Sequence, residues 1–474
     1  MLHDTFRGPV PLPRPDDLSA LRDLTQRMAD LGFEEKSIER ALHVGSLPYR
    51  RINHIPAYRR RLRDEAQLGQ AISFWLLQLP VALEALRQML GDKALAVLQR
   101  LHWLEICEEG VRSRVDLYPC CGRYFFTDTA YSRNPWPEQV YWLGGDSYTL
   151  ARCTPRRNMN SALDICTGSG IHAILARAHC SHSVGVDINE RALQFSRINA
   201  HLNGLAEGTQ FLISDCYQAI QESFDLITLN PPFVPSPKHI KELYRTGGES
   251  GESVTERVMR GLPQHLRENG IFSMSTEAPI LRHASPLDRC REWLGEGWGL
   301  AALYKQECPV EDYILGHVLA TNVAPHLRES EFESWWDVYQ ELGITSMVSA
   351  QFYAVRLPAG TRGWSKERVF PHPDRDQSEW LSNWLDVLQA WHGEWQREFR
   401  PALHTQVEQL YFSEAGVVAE LANNGWNAVN FVRYGPVHAR LLKDIQAGKD
   451  LHEISPEDET ALQELGCDLL ITCF

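Results

Sequence analysis

Asn230-Pro231-Pro232-Phe233 is the stretch of this chain best equipped for chemistry. Two consecutive prolines lack backbone donors and hold φ near roughly −65°. They fix the asparagine before them and the aromatic ring after them. The Asn230 side chain offers an amide oxygen that accepts hydrogen bonds from a rigid position. A planar nitrogen group suits such a place. The amide oxygen and a proline carbonyl accept its N–H bonds, and the Phe233 ring stacks on it. Its lone pair then faces an electrophilic carbon, and catalysis is mainly positioning.

A second constellation lies upstream. Asp164-Ile165-Cys166-Thr167-Gly168-Ser169-Gly170 reads as a strand end, a glycine-rich turn and a helix start. Glycine allows the tight turn and lets a ligand approach the backbone. Seventeen residues after Gly170, Asp187 ends the next apolar run. In a doubly wound sheet a carboxylate there bonds ribose hydroxyls. No GxGxxG occurs, which disfavours a dinucleotide. Asp215 ends a third run, where it either reaches an adenine amino group or caps a helix. His172, just past the turn, reads as a helix-face residue before a proton acceptor. Glu249 and Glu252 are loop carboxylates that either bind an amine or stand in solvent. An amine has to lose its proton before attack, so a nearby base would serve it.

These groups need a scaffold, and the apolar pattern supplies one. Strands are predicted at 162–165, 184–187, 210–214 and 224–229, with helices at 171–178 and 190–203. Strands separated by single helices predict an α/β fold, a parallel sheet with helices on both faces and right-handed crossovers. This central domain is placed at 113–325. Residues 1–112 form a helical domain, with apolar residues at helical spacing over 18–31, 71–90 (broken at Pro80) and 94–101. Two short strands follow, which is compatible with a winged helix. A helix that reads DNA presents base-contacting polar residues, and 94–101 has few, so docking is the preferred role. Residues 326–474 are rich in Trp and read as an α+β domain: a strand at 344–355, a loop at 356–376 and one long helix at 378–400. The tryptophans read as core before a stacking platform.

The central motifs resemble those of class I S-adenosylmethionine-dependent methyltransferases. Over residues 115–280 the order Asp164/Gly168/Gly170, Asp187, Asp215, Asn230-Pro-Pro-Phe233 matches that family in sequence and spacing. The Asn-Pro-Pro-aromatic form is similar to enzymes that methylate amide or exocyclic amine nitrogens, among them release-factor glutamine, adenine-N6 and guanine-N2 methyltransferases. Gly144–Leu150 resembles the segment that precedes the first strand and lines the cofactor pocket. Tyr244–Gly251 resembles the loop after the catalytic motif. The chain as a whole resembles three-part bacterial methyltransferases with a helical N-terminal and a Trp-bearing C-terminal module.

The resemblance implies a Rossmann-like class I core and S-adenosylmethionine as cofactor. The cofactor-binding residues it implies are Asp146, Ser147, Asp164, Thr167, Gly168, Ser169, Gly170, Asp187, Ile188, Asp215, Cys216 and Asn230. Of these, Asp164 and the Gly168–Gly170 backbone would line the methionine part, Asp187 the ribose, and Asp215 with Cys216 the adenine. Asn230, Pro231, Pro232 and Phe233 would hold the target nitrogen. Cys166 departs from many relatives, which carry Gly there. Cys is small, so cofactor binding should survive.

Composition bounds the rest. The chain has 474 residues, 43 % hydrophobic and 23 % charged, which excludes a disordered or fibrous protein. At roughly 150 residues per domain it holds about three. No run of 18 apolar residues occurs, so no spanning helix is expected. Met1 to Pro15 carries Pro and charge where a signal peptide needs an apolar stretch, so a cytoplasmic location is expected. A net charge of −14 is a poor match for a long polyanion. Residues 1–100 are the exception, with 15 Lys and Arg against 12 Asp and Glu, centred on Arg50, Arg51, Arg59, Arg60, Arg61 and Arg63. That cluster is either a solvated face or a docking surface. The 11 cysteines include no CxxC, so reduced thiols and no metal are expected.

The acceptor stays open: a protein side chain, a nucleobase or a small molecule. One alternative is a small-molecule methyltransferase of specialised metabolism, its flanking modules closing as a lid. Another is a cyclase that consumes S-adenosylmethionine and releases methylthioadenosine.

Overall fold

The computed structural model describes residues 14, 17–47, 54–130, 137–240, 244–248, 250–320, 323–369 and 376–392, and after those 401–403, 407–413, 416–421, 430–447, 457–458, 461–462, 465 and 471–473. Six helices come first: α1 (Asp17–Asp30), α2 (Glu35–Leu42), α3 (Ile55–Arg61), α4 (Ala66–Leu76), α5 (Leu83–Leu90) and α6 (Asp92–Arg100). In α1 the helically spaced Ala20, Leu21, Leu24 and Met28 form the buried stripe. Two antiparallel hairpins follow, β1 (Leu104–Cys107) with β2 (Gly110–Ser113) and β3 (Val115–Cys120) with β4 (Arg123–Asp128). Val81 bridges Val111 on the first hairpin.

The central part runs α7 (Gly145–Cys153), β5 (Met159–Ile165), α8 (Ile171–Ala176), β6 (Cys180–Asp187), α9 (Glu190–Leu202), β7 (Thr209–Ile213), β8 (Phe224–Leu229), α10 (Ser253–His265), β9 (Leu266–Leu281), α11 (Pro286–Leu294), β10 (Trp298–Pro309), α12 (Val310–Ala320), α13 (Arg328–Glu341), β11 (Ile344–Arg356), β12 (Trp364–Val369) and α14 (Ser378–His392). One eight-stranded sheet takes β5 to β12 in the order β7-β6-β5-β8-β9-β11-β10-β12. From β7 to β9 every neighbour is parallel. β11 is antiparallel to β9 on one side and to β10 on the other, and β12 runs parallel to β10 at the edge. The fold is a Rossmann-like α/β core with a helical N-terminal region.

Two boundaries differ from the sequence reading. The line at 325 falls inside the sheet, because β11 inserts between β9 and β10 and buries side chains on both faces. The loop expected at 356–376 contains β12, whose Trp364 packs where only Gly299 leaves room: a Cβ there would stand 2.2 Å from the indole. Local composition reported the Pro, Gly and charge of that stretch but not its pairing with a strand 65 residues earlier.

The helical region and the sheet share one hydrophobic core, which includes Leu21, Leu24, Trp75, Leu98 and Trp103 with Phe126, Ile174 and Phe195. Trp103, fully buried, stacks on Phe195 of α9 at 5.5 Å and 10°. The β3–β4 hairpin is fastened to the same helix by side-chain amides that act as a further strand. Asn199 exchanges two hydrogen bonds with the Phe126 backbone (2.7 and 2.9 Å), and Asn203 two with Tyr124 (2.7 and 3.0 Å). A buried Arg191–Asp128 ion pair closes the seam.

Towards the C-terminus lie β13 (Pro401–Leu403), β14 (Val407–Ser413), β15 (Gly416–Leu421), β16 (Asn430–Tyr434), α15 (Pro436–Gln446) and β17 (Ile471–Cys473). β14-β15-β16 form one sheet and β13 pairs with β17. The expected helix at 378–400 is α14 over its first fifteen residues, and 393–400 lie outside the described residues. Trp335, Trp364 and Trp384 are core residues. Arg59, Arg60 and Arg63 are exposed, while Arg50 and Arg51 lie outside the described residues. Among the described residues no helix is long and apolar enough to cross a membrane, and no cluster of His, Cys, Asp and Glu could hold a metal ion.

Candidate active site

The carboxyl ends of β5, β6, β7 and β8 open on one cavity of about 520 Å³, where open α/β sheets place ligands. The turn from Cys166 to Gly170 forms one wall. Gly168 has φ +53, and a Cβ there would stand in open space, so the position is free for a ligand. Gly170 serves packing instead. At φ +82 its missing Cβ would lie 2.9 Å from Ser196 Cβ, so it lets α8 pack on α9 and does not line the cavity. Cys166 holds φ 57, a left-handed conformation that suits Gly and costs an L-residue about 1 kcal/mol. Its side chain still faces the cavity.

Asp164 also departs from the expectation of direct cofactor contact. It is 1 % exposed and lies beneath the wall. Thr228 Oγ1 donates to one carboxylate oxygen (2.8 Å), and Thr167 Oγ1 (2.6 Å) and the Ala173 N–H (3.3 Å) donate to the other. Burial pushes its carboxyl up to about 7, against those hydrogen bonds. Its work is to hold the turn in shape.

Asp187 lines the cavity and accepts from the N–H groups of Gly168 and Asn189, both at 2.9 Å. Its remaining lone pairs stay available for hydroxyl donors. Beside it, Ile188 keeps an apolar side chain 55 % exposed at the cavity wall. Thr167, Ser169, Asp215 and Cys216 line the cavity too, with Arg257 of α10 bridged to Asp215 at 2.7 Å.

Asn230 is held by α7. Its Nδ2 donates to Asp146 Oδ2 (2.7 Å) and Ser147 Oγ (3.3 Å), while the Tyr141 hydroxyl donates to Asp146 Oδ1 (2.8 Å). A carboxylate only accepts, so the amide nitrogen is the end that faces Asp146. The amide oxygen therefore points elsewhere. It is buried and has no hydrogen-bond partner among the described residues. Pro231, Pro232 and Phe233 line the cavity beside it. Tyr244 stacks on Tyr141 (5.6 Å, 20°) and meets Trp142 edge-on (5.7 Å, 61°), adding an aromatic wall.

The loop carboxylates, read either as amine-binding or as solvated, do not supply the acid at this end. Glu252 is bridged to Arg289 at 2.8 Å and does not line the cavity, and Glu249 lies outside the described residues. Glu277 of β9 lines it instead, with Lys305 of β10, Ser349 of β11, and Arg245 and His317. Burial raises the Glu277 carboxyl, against the hydrogen bond from Tyr313. A lone acid in the apolar run 271–281, and a lone lysine in 300–305, were the signals available in the sequence. Arg245 donates to His317 Nδ1 (2.7 Å), and both lie against Trp335. Burial pulls His317 and the cavity-lining His172 down to about 3, so both are neutral at pH 7.

The methyltransferase small domain family matches residues 145–283. A protein of Methanocaldococcus jannaschii assigned as a protein N5-glutamine methyltransferase is 29 % identical over 160 residues, 31 % of this chain and 80 % of that protein. The ribosomal protein uL3 glutamine methyltransferase of Xanthomonas campestris pv. campestris is 33 % identical over 144 residues, 28 % of this chain and 42 % of that protein. A release factor glutamine methyltransferase of Cereibacter sphaeroides is 30 % identical over 122 residues, 23 % of this chain and 44 % of that protein. The chain thus spans less than half the length of these two bacterial relatives.

Proposed function

We propose that this chain, a class I S-adenosylmethionine-dependent methyltransferase, methylates a nitrogen atom seated at Asn230-Pro231-Pro232-Phe233. One observation carries the reading: Asn230 has its amide nitrogen tied to Asp146 and its buried oxygen left without a donor. Buried polar atoms without partners are exceptions that call for an explanation, and an acceptor N–H supplies one. The names of the relatives, all of which specify glutamine, support a nitrogen acceptor and include protein side chains among the candidates.

The wall fits the cofactor. Gly168 leaves open space, Asp187 offers a carboxylate for a ribose diol, and Ile188 keeps an apolar surface for a flat ring to cover. Thr167, Ser169, Asp215 and Cys216 complete the cradle. Bound there, S-adenosylmethionine supplies an electrophilic methyl carbon on a sulfonium. Asn230 accepts an N–H bond of the acceptor and turns its lone pair inward. Phe233 supplies a stacking face. Asp146 keeps Asn230 from rotating, and Tyr141 keeps Asp146 in place. His172, neutral at pH 7 because it is buried, adds no charge to repel the cofactor.

The test uses methyl-labelled S-adenosylmethionine and an extract from cells lacking the gene. Asn230→Ala should cut transfer by about 100-fold or more, the scale for losing one preorganised hydrogen-bonding group. Affinity for S-adenosylhomocysteine should hold. Wild-type turnover in the variant sinks the assignment of Asn230. Release of methylthioadenosine without labelled acceptor supports the cyclase reading in its place.

A further inference from the structure

Glu277, Ser349 and Lys305 stand in a row across three adjacent strands. Ser349 of β11 pairs directly with Glu277 of β9. On its other side the register slips between Tyr304, opposite Ala350, and Glu307, opposite Val348, so Lys305 lies in a bulge beside Ser349. Bulges re-aim side chains and are frequent next to active sites. All three residues line the cavity that contains Asn230 and Phe233.

Neither charge forms an ion pair among the described residues, and the two act on each other only across Ser349. The hydrogen bond shown for the Glu277 carboxylate comes from the Tyr313 hydroxyl at 2.5 Å. Among the described residues the Lys305 ammonium has no hydrogen bond or ion pair. Arg245, on the same wall, has a buried Nε without a partner. Asp146 is already engaged by Asn230 and Tyr141. A sequestered charge without a partner is strongly unfavourable. A neutral carboxamide acceptor would leave Glu277 and Lys305 with no ion pair beyond each other's charge across Ser349. The family match ends at residue 283, so Lys305 and Ser349 are supplied from outside it.

We propose that the acceptor is a compact amino-acid-like zwitterion, its amine methylated at Asn230 with Glu277 as proton acceptor and its acid group held by Lys305. The proposal rests on the nitrogen-transfer reading and narrows it to a substrate class. An ammonium has no lone pair, so one proton passes from nitrogen to the Glu277 carboxylate. The freed pair forms the new nitrogen–carbon bond to the methyl group. The carbon–sulfur bond breaks, and its electron pair stays on sulfur as the thioether of S-adenosylhomocysteine. Burial and the charge of Asp146 raise the proton affinity of the Glu277 carboxylate, while the Tyr313 hydrogen bond and Lys305 favour its ionised form. The cavity of about 520 Å³ must also hold the cofactor, which leaves room for a compact acceptor.

The experiment follows the label in the extract assay to its product. The labelled product should be small, cationic below about pH 3 and anionic above about pH 11. With that purified acceptor, Lys305→Ala should raise KM by roughly 30-fold or more, the scale for truncating one partner of a desolvated charge pair. Lys305→Arg should restore much of it. Glu277→Gln should lower kcat and remove the acid limb of the pH–rate profile. Lys305→Ala and Glu277→Gln should melt no lower than wild type and keep its S-adenosylhomocysteine affinity, which separates these roles from a folding defect. Label in the carboxamide of a macromolecule overturns the proposal and leaves the nitrogen-transfer reading intact. A zwitterionic product with unchanged KM in Lys305→Ala overturns it as well. Label in no nitrogen compound overturns both.

Discussion

Replacing Asp146 with Ala should slow methyl transfer without loosening the cofactor. The carboxylate accepts from Asn230 Nδ2 at 2.7 Å and from the Tyr141 hydroxyl at 2.8 Å. Its bond to Asn230 does two things at once. It fixes which end of the amide points inward, and it draws charge toward the amide oxygen. Together these are bounded by the net contribution of a hydrogen bond to a charged group, about 1.5–3 kcal/mol. At about 1.36 kcal/mol per tenfold in rate, kcat should fall about 10- to 150-fold. Asp146→Asn should fall less, since an amide oxygen still accepts from Asn230. The assay is the initial rate of label transfer to the extract acceptor, with calorimetric binding of S-adenosylhomocysteine run alongside. A kcat equal to wild type refutes the reasoning. Weakened S-adenosylhomocysteine binding with kcat intact refutes it differently, by making Asp146 a cofactor ligand, the role implied by the family resemblance.

Other changes separate stability from binding. Gly170→Ala should lower stability by about 2–4 kcal/mol, adding a contact near 2.9 Å to a left-handed φ, as thermal denaturation would show. Gly168→Ala meets no protein atom closer than 4.0 Å, so it should cost only about 1 kcal/mol of stability; calorimetry should show its larger loss in cofactor affinity. Trp103→Ala should cost about 3–5 kcal/mol and, because its core spans both parts, lower the unfolding of the helical region and the sheet together, seen by tryptophan fluorescence and circular dichroism. Asp164 titrates at about 7 when folded against about 3.9 unfolded, so the folded state holds the extra proton between those values. Its contribution is fully present below the unfolded value and is lost as pH rises through about 7. The difference in melting temperature between wild type and Asp164→Asn should therefore change across that window, and parallel curves would contradict the buried, proton-holding carboxyl.

Much of the proposed cofactor half was legible because it is local. The turn 164–170, Asp187 and Asn230–Phe233 each follow a strand directly, so strand position alone put them at one sheet edge. Two residues of the turn escaped that logic. Asp164 and Gly170 belong to the motif, yet one braces it from below and the other seats α8 on α9. Motif membership marks a place in the chain, not a face of the cavity. The acceptor half was largely illegible for a different reason. Glu277, Lys305 and Ser349 are far apart in sequence and meet only through the pairing of β9, β11 and β10. The loop carboxylates left both roles open in the sequence, amine binding or solvation, and Glu252 takes neither, being paired with Arg289.

The placement of β11 has a consequence for biosynthesis. It is made after β10 but lies between β10 and β9. A ribosome that has delivered residues up to 309 has released a strand with no neighbour on either side, since β12 is made later too. The edge of β9 waits as well, and Ser349, which joins Glu277 to Lys305, has not been made. The nascent protein therefore passes through a stage with three open strand edges, two on β10 and one on β9, a state exposed to aggregation and to chaperones. A fragment ended at 325 would be held at that stage permanently, with the proposed cofactor cradle encoded and Ser349 of the proposed acceptor wall absent.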